Sequence, residues 1–398
     1  MTIHDIPSGT STAEVRRRHH KALDMARRGL AMVQNRTNDL APAVLEQPST
    51  YYVDPERYAR EVEVLFHRRP VFAALSVELP GPGAFKALDL PGFPLVVTRQ
   101  QDGSLRAMLN SCRHRGSTIA TGAGSARAFV CKYHGWTYDL DGSLRRIRAE
   151  RNFGEIDPSC TGLVQVAVAE KYGMVFVRAT PLERDPSPID VDELLCGMGP
   201  QLDDWRLDLS EPVSSATVDT ASNWKLAVDT YLETYHFATL HKTTVAKSNF
   251  SDHAPFDTYG PHSLTGFLSR NIEKLAEQPE AQWSPMKHVQ MVYTLFPNTV
   301  MTVMQDHVEY SQILPGPTWD RNTMHHLYFS FPDFRSAEIH SSRFDRTQWI
   351  LAEEDCPMAE EMHRNLASGG LPSVRYGRNE PGLQHQHRSI AAVLDGSA

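Results

Sequence analysis

Cys112 and His114, followed after sixteen residues by Cys131 and His134, form two Cys/His pairs. Two thiolates and two neutral imidazoles are the donor set of a [2Fe–2S] cluster whose cysteines hold one iron and whose histidines hold the other. Exchanging two thiolates for imidazoles makes the cluster less negative and raises its potential to roughly −150 to +300 mV. Such a cluster passes single electrons and breaks no bond itself, so an electron-accepting site is expected elsewhere. The same residue types suit tetrahedral zinc, but finger-type sites group Cys with Cys and His with His. The order Cys-x-His and Cys-x-x-His, with Gly116 and Gly135 just after the pairs, favours the iron cluster.

A second constellation lies in Asn223–His241, where His236 and His241 stand five residues apart. On an ideal helix that spacing is about 140° of rotation, so both face one metal only if the helix ends or bulges between them. Two imidazoles and one carboxylate on one face of Fe(II) leave positions open for O2 and substrate. The local sequence supplies the histidines, and the carboxylate must come from elsewhere.

The elements that position these residues follow from the pattern of the chain. Its 398 residues suffice for two domains with sizeable cores, and no apolar run reaches the roughly 20 residues of a membrane span. A net charge of −8 and a pI of about 6.1 offer no basic field for nucleic acid. Cys160, Cys196 and Cys356 show no disulfide-like spacing, which suits a reducing cytoplasm. The basic run Arg16-Arg17-Arg18-His19-His20-Lys21 is interrupted nearby by Glu14 and Asp24, with Val15, Ala22, Ala26, Leu30 and Val33 at helical spacing. An amphipathic helix is expected there, not a transit peptide, and no secretory signal.

Residues 35–50 read as a connector and 51–180 as short strands broken by the Asp102-Gly103 and Asp141-Gly142 turns. Both Cys/His pairs follow short apolar segments, Met108-Leu109 and Phe129-Val130, which places them at hairpin tips. The Pro-rich stretch Pro181 to Pro188 marks a boundary. Beyond it, 223–242 is expected to be helical and 291–315 strand-like. Residues 344–366 read as a long helix with Trp349, Ile350 and Leu351 on its apolar side and a kink at Pro357. Strands and helices do not alternate, so the fold class is α+β.

The two constellations, with His134-Gly135-Trp136-Thr137-Tyr138-Asp139 and with Asn223-Trp224-Lys225 ahead of Glu233-x-x-His236-x4-His241, resemble the large subunit of Rieske non-heme iron oxygenases, the aromatic-ring-hydroxylating dioxygenase family. The resemblance runs from about Tyr51 to the C-terminus and takes in Tyr376-Gly377-Arg378-Asn379-Glu380 and Gln384-His385-x-His387. It implies a β-rich Rieske domain at 46–180 and a helix-grip catalytic domain with an antiparallel sheet at 181–398. The helical segment 1–45 would pack with the latter. It implies a mononuclear Fe(II) held by His236, His241 and Asp355, with Glu354 as the alternative third ligand.

By the same resemblance, copies of the chain form a homotrimer in which His134 of one subunit faces Glu233 of the next, and Glu233 in turn holds His236. Many relatives carry Asp at the position of Glu233, while some that oxidise quaternary ammonium compounds carry Glu. Thr230 replaces a common Asn and Asp229 remains acidic, so Glu233 and Asp229 are the expected catalytic carboxylates. O2 is consumed with electrons from NAD(P)H, and Gly81-Pro82-Gly83 lacks the spacing of a dinucleotide-binding loop. A separate reductase, directly or through a ferredoxin, is therefore expected; a β-subunit stays undecided.

Trp283, Met286, Met291, Tyr293, Phe296, Met301 and Met304 would either fill a core or line an apolar pocket beside the iron. The substrate expected on the second reading is apolar, aromatic or polycyclic. The alternative is oxidative demethylation or C–N cleavage of a methylamine or quaternary ammonium compound. A Rieske-type electron carrier would account for Cys112 to His134 but not for the rest of the chain, and a zinc-stabilised binding protein would be colourless. Iron content separates the first two, because the oxygenase holds one iron beyond the cluster.

Overall fold

The computed structural model describes residues 12–157, 160–331 and 337–397; the side chains of residues 12–19, including Val15 and most of the basic run, and of residue 337 lie outside that description. Residues 62–194 form one compact unit, and residues 1–61 with 195–398 form the other. Both divisions fall later than the sequence places them, at 61/62 and 194/195 in place of 45/46 and 180/181. The reasons are local. Asn223 Nδ2 donates to the Tyr52 carbonyl at 2.9 Å, and the Lys225 ammonium meets Glu61, which fastens the short helices Thr50–Val53 and Pro55–Glu61 to the larger unit. Arg178 Nη2 donates to the carbonyls of Asp185 and Ser187, which holds the Pro-rich stretch on the smaller one.

The smaller unit is built on a seven-stranded antiparallel sheet in the order Val71–Leu75, Met174–Pro181, Gln165–Lys171, Leu105–Leu109, Phe93–Arg99, Ala84–Leu90, Ala123–Ser125. Phe129–Val130, Thr137–Tyr138 and Leu144–Arg146 form a three-stranded sheet beside it. Val96, Met108, Phe129, Trp136, Tyr138 and Leu163 fill one core together with Cys112 and Cys131. Asp141 accepts from the Ser143 N–H at 2.9 Å and Gly142 takes φ +86°, the left-handed conformation that only glycine adopts freely. A side chain there would also collide with Gln165 and Met108, so this turn lies against the sheet that carries the first Cys/His pair.

The larger unit carries a second seven-stranded antiparallel sheet, in the order Glu211–Thr220, Asn322–Ser330, His307–Pro315, Thr299–Val303, Val289–Leu295, His262–Leu268, Phe256–Tyr259. Side chains alternate between its faces. The register puts Leu264, Tyr293, Met301 and Tyr310 in one row on one face. Neighbouring rows on the other face are Thr265, Val292, Thr302, Glu309, Tyr328 and Ser263, Thr294, Val300, Ser311, His326. Helix Thr12–Asn35 packs at the His262–Leu268 strand, where Gly29 makes room for Leu268. Among the described residues no helix is long and apolar enough to cross a membrane.

Two helical expectations are corrected. Residues 223–242 do not form one helix: α-helix covers only Trp224–Asp229, capped by the Asn223 side chain on the Lys225 N–H at 3.0 Å. The Thr230 hydroxyl turns back to the Ala227 carbonyl, and turns with a 3-10 segment at Tyr235–Ala238 follow. Residues 344–366 span the end of helix Ala337–Ile350, a wide π-turn at Leu351–Asp355 and helix Cys356–Ala367. Pro357 has no N–H to give to Glu353 four residues back and its ring crowds that carbonyl, so the expected break takes the form of a widened turn just before it. Trp349 is 52% exposed and does not join the buried face with Leu351.

Candidate metal centres

The two Cys/His pairs sit on matching turns. The Gly116 N–H donates to the Cys112 carbonyl at 2.8 Å and the Cys112 N–H to Ser117 at 2.9 Å; the Gly135 N–H donates to Cys131 at 2.9 Å and the Cys131 N–H to Trp136 at 2.8 Å. Gly116 and Gly135 take φ +75° and +73°, so the glycines that follow the pairs close the same left-handed turn twice. Both cysteines are buried free thiols, while the histidines lie toward the surface with ring centroids 4.6 Å apart.

The surroundings fit a cluster between these turns. Burial would raise the Cys131 thiol, but the backbone N–H groups of Tyr133 and His134 bring it below its ordinary value, toward the thiolate a metal needs. The Tyr138 hydroxyl accepts from the Arg113 N–H at 3.0 Å and lies 3.4 Å from Cys112 Sγ, free to donate to it. Trp136 stacks on His114 at 5.2 Å and 7°, fixing the ring plane. His114 Nδ1 is buried with no hydrogen-bond partner, a polar atom left for a metal. Burial, then the charge of Arg115, keeps His134 below its ordinary pKa and so neutral.

In the larger unit, the turns after Asp229 solve the five-residue spacing. His236 lies in the 3-10 segment and His241 beyond it, ring centroids 4.9 Å apart. Asp355, last residue of the π-turn, brings Oδ1 to 3.1 Å from His241 Nε2 and 3.9 Å from His236 Nε2. One ligand atom from each of His236, His241 and Asp355 falls within 4.8 Å of the others, so the three could hold one metal ion. His236 Nε2 and Asp355 Oδ1 are buried without a hydrogen-bond partner: the atoms converge on a point rather than bond one another.

Each imidazole is held from behind by a carboxylate. Glu233 Oε1 bonds His236 Nδ1, and its Oε2 accepts from the His236 N–H at 3.1 Å. Glu354 Oε2 lies 2.6 Å from His241 Nδ1 and accepts from the Thr244 hydroxyl at 2.7 Å. With both Nδ1 atoms committed, both Nε2 lone pairs face the common point. Burial would lower His241, yet the carboxylates of Asp355 and Glu354 hold it above its ordinary value, so the pocket is negative enough to call for a cation.

The family model of the Rieske [2Fe-2S] domain matches residues 69–167, and that of the ring hydroxylating alpha subunit catalytic domain matches residues 207–396. The chain belongs to the Rieske non-heme iron oxygenases. This oxygenase is 27% identical over 365 residues to the carnitine monooxygenase oxygenase subunit of Escherichia coli (strain K12), covering 87% of this chain and 93% of that one. It is 28% identical to the chloroplastic choline monooxygenase of Spinacia oleracea, covering 87% and 78%. Its fold matches a crystal structure of the quaternary ammonium Rieske monooxygenase CntA at TM-score 0.77 and 22% identity, covering 93% of this chain and 98% of that chain. As a member of its family it is an oxidoreductase that uses a Rieske [2Fe–2S] cluster, a mononuclear non-heme iron and electrons from a reductase.

Of the residues singled out in the sequence, the oxygenase brings Cys112, His114, Cys131 and His134 to one place, and His236, His241, Asp355 and Glu233 to another. Glu354, the alternative third ligand, faces the back of His241 instead of the common point. Asp229 also stays outside that point. Its Oδ2 accepts from the Tyr376 hydroxyl at 3.0 Å and lies 3.2 Å from His387 Nε2, in a buried network that Tyr52 completes. The apolar candidates separate as well: Met291, Tyr293 and Met301 are buried on the far face of the sheet, with Tyr293 bonded to Trp205 Nε1 at 2.9 Å. They are core. The site-side face instead carries Glu309 and Ser311, two residues the sequence reading passed over. Their signal was a lone carboxylate inside the strand His307–Pro315.

Proposed function

We propose that this oxygenase acts on a quaternary ammonium compound, oxidising a carbon attached to nitrogen so that a C–N bond is lost, in place of the aromatic substrate expected from its apolar residues. The observation that carries this reading is the division of the sheet. The face toward Tyr231 and the histidines offers Thr265, Thr302, Glu309, Ser311 and His326 beside Met324, while Met291 and Met301 lie behind it. The names of the relatives, carnitine and choline monooxygenases, support it.

In this proposal Cys112 and Cys131 with His114 and His134 hold the cluster, and His236, His241 and Asp355 hold Fe(II). Bound there, these groups supply single electrons and O2 activation next to the substrate. Glu233 and Glu354 fix the two imidazoles, and Asp229 with His387 and Tyr376 braces the end of helix Trp224–Asp229 from which the histidine turn departs. Copies of the chain assemble as a ring of three, with His134 of one presented to Glu233 of the next.

The test is turnover with a surrogate reductase and NADH, using choline, glycine betaine and carnitine against naphthalene and a steroid, under 18O2 and with products identified by mass. Loss of a methyl group or cleavage at nitrogen is expected from at least one cation, and none from His236→Ala. Hydroxylated aromatics with every cation untouched would overturn the reading.

A further inference from the structure

Glu309 lies in the middle of a strand, on the row Thr265, Val292, Thr302, Glu309, Tyr328 of the site-side face. Its Oε2 is enclosed by protein and has no close, well-aligned hydrogen-bond donor. The nearest cationic candidate, His326 Nε2, is 3.4 Å away, while 20% of the Glu309 side chain remains open. Gln348 Nε2 bonds the other ring nitrogen of His326, Nδ1, so the ring is held in place beside the carboxylate. Burial would push the Glu309 carboxyl up, but His326 and then His307 bring it below its ordinary value, so it stays ionised.

Four other carboxylates near the site have partners of their own. Glu233 and Glu354 hold the histidines, Asp229 holds Tyr376 and His387, and Glu360 accepts from the Ala221 N–H at 2.9 Å. Two residues along the same face from Glu309, Ser311 Oγ lies 3.0 Å from the Tyr231 hydroxyl. Phe237 joins the ring of His241 at 5.7 Å to that of Phe267 at 5.5 Å. A buried carboxylate met only by a histidine nitrogen 3.4 Å away is stabilised further when a cation reaches it. A quaternary ammonium has no N–H to direct at an acceptor. It is held by diffuse charge and by aromatic faces.

We infer that Glu309 is the specificity-determining counter-charge for the substrate's ammonium group, a step that rests on the quaternary-ammonium reading above. Glu309→Gln keeps size and removes charge. With the full holoenzyme and reductase, KM for the accepted trimethylammonium substrate should rise at least about tenfold while kcat stays within about twofold, because the interaction is made in ground and transition state alike. Inhibition by 3,3-dimethylbutanol, the neutral isostere of choline, should not change. An unchanged KM, or an equal loss of affinity for the neutral isostere, would overturn the assignment and leave the reaction class intact. The wild-type protein gives a check that does not depend on the variant folding. Preference for choline over its neutral isostere is required, and equal inhibition by both would also sink the inference. Wild-type turnover of no ammonium compound at all would bring down the functional reading first.

Discussion

Glu354 and Asp355 are neighbours in sequence, yet one faces the back of His241 and the other the point where three ligand atoms meet. Adjacent helical residues differ by about 100° in direction, so composition could name an acidic pair but not choose between its members. The choice is made by the widened turn ahead of Pro357, which a sequence pattern announces only as a kink. By contrast, Cys112, His114, Cys131, His134, His236 and His241 are legible at once, because their types are scarce and their spacing is chemically restrictive. Glu354 has a testable consequence. Glu354→Ala frees His241 Nδ1 to choose its tautomer and ring angle, and losing such an outer carboxylate costs about 10–100-fold in metal affinity. Anaerobic dialysis against a chelator should strip iron from this variant faster than from wild type, while the visible spectrum of the cluster stays unchanged. Equal retention would show that packing alone, with Phe237 against the ring, holds it.

At the scale of elements, the histidine turn depends on what anchors helix Trp224–Asp229. Lys225 Nζ meets Glu61 Oε1 at 2.7 Å and Oε2 at 2.5 Å, and Trp224 Nε1 donates to Glu61 Oε2 at 3.1 Å. Lys225 is 1% exposed and Glu61 fully buried, and burial pulls the lysine below its ordinary pKa against the attraction of Glu61. Glu61→Ala would leave a buried ammonium without its counter-charge and should destabilise the larger unit by about 3–5 kcal/mol in urea unfolding. Glu61→Ala combined with Lys225→Met should recover most of that loss, because the isolated charge, not the missing pair, is the penalty. No recovery would assign the loss to the bonds that Trp224 and Arg57 make to Glu61 instead. The pairing itself was not readable from sequence, since 164 positions separate the two residues. Strand alternation was readable, but which face meets the site was not: Met291, Tyr293 and Met301 suit a core and a pocket equally until the register is known.

At the scale of the whole molecule, the pattern of strands and helices, which do not alternate, was enough to give the α+β class, just as the missing dinucleotide-binding loop called for a separate electron source. It was not enough to place the unit boundaries, because helices at 50–61 are committed by long-range contacts with Asn223 and Lys225. The proposed ring of three leads to a test that needs no knowledge of substrate affinity. His114→Ala removes a cluster ligand and His236→Ala a ligand of the second site, so neither variant alone should make product. If reducing equivalents pass from His134 of one subunit toward Glu233 of the next, co-expressed chains should complement. In a randomly mixed ring with one directional interface per neighbour, half the chains keep an intact second site, and half of those receive an intact cluster from the required side. Activity should therefore return to about a quarter of wild type per chain. Native mass spectrometry would verify that mixed trimers formed. Background activity in verified mixed trimers would mean that the electron path stays within one chain, and Glu233 would then keep only its role of orienting His236.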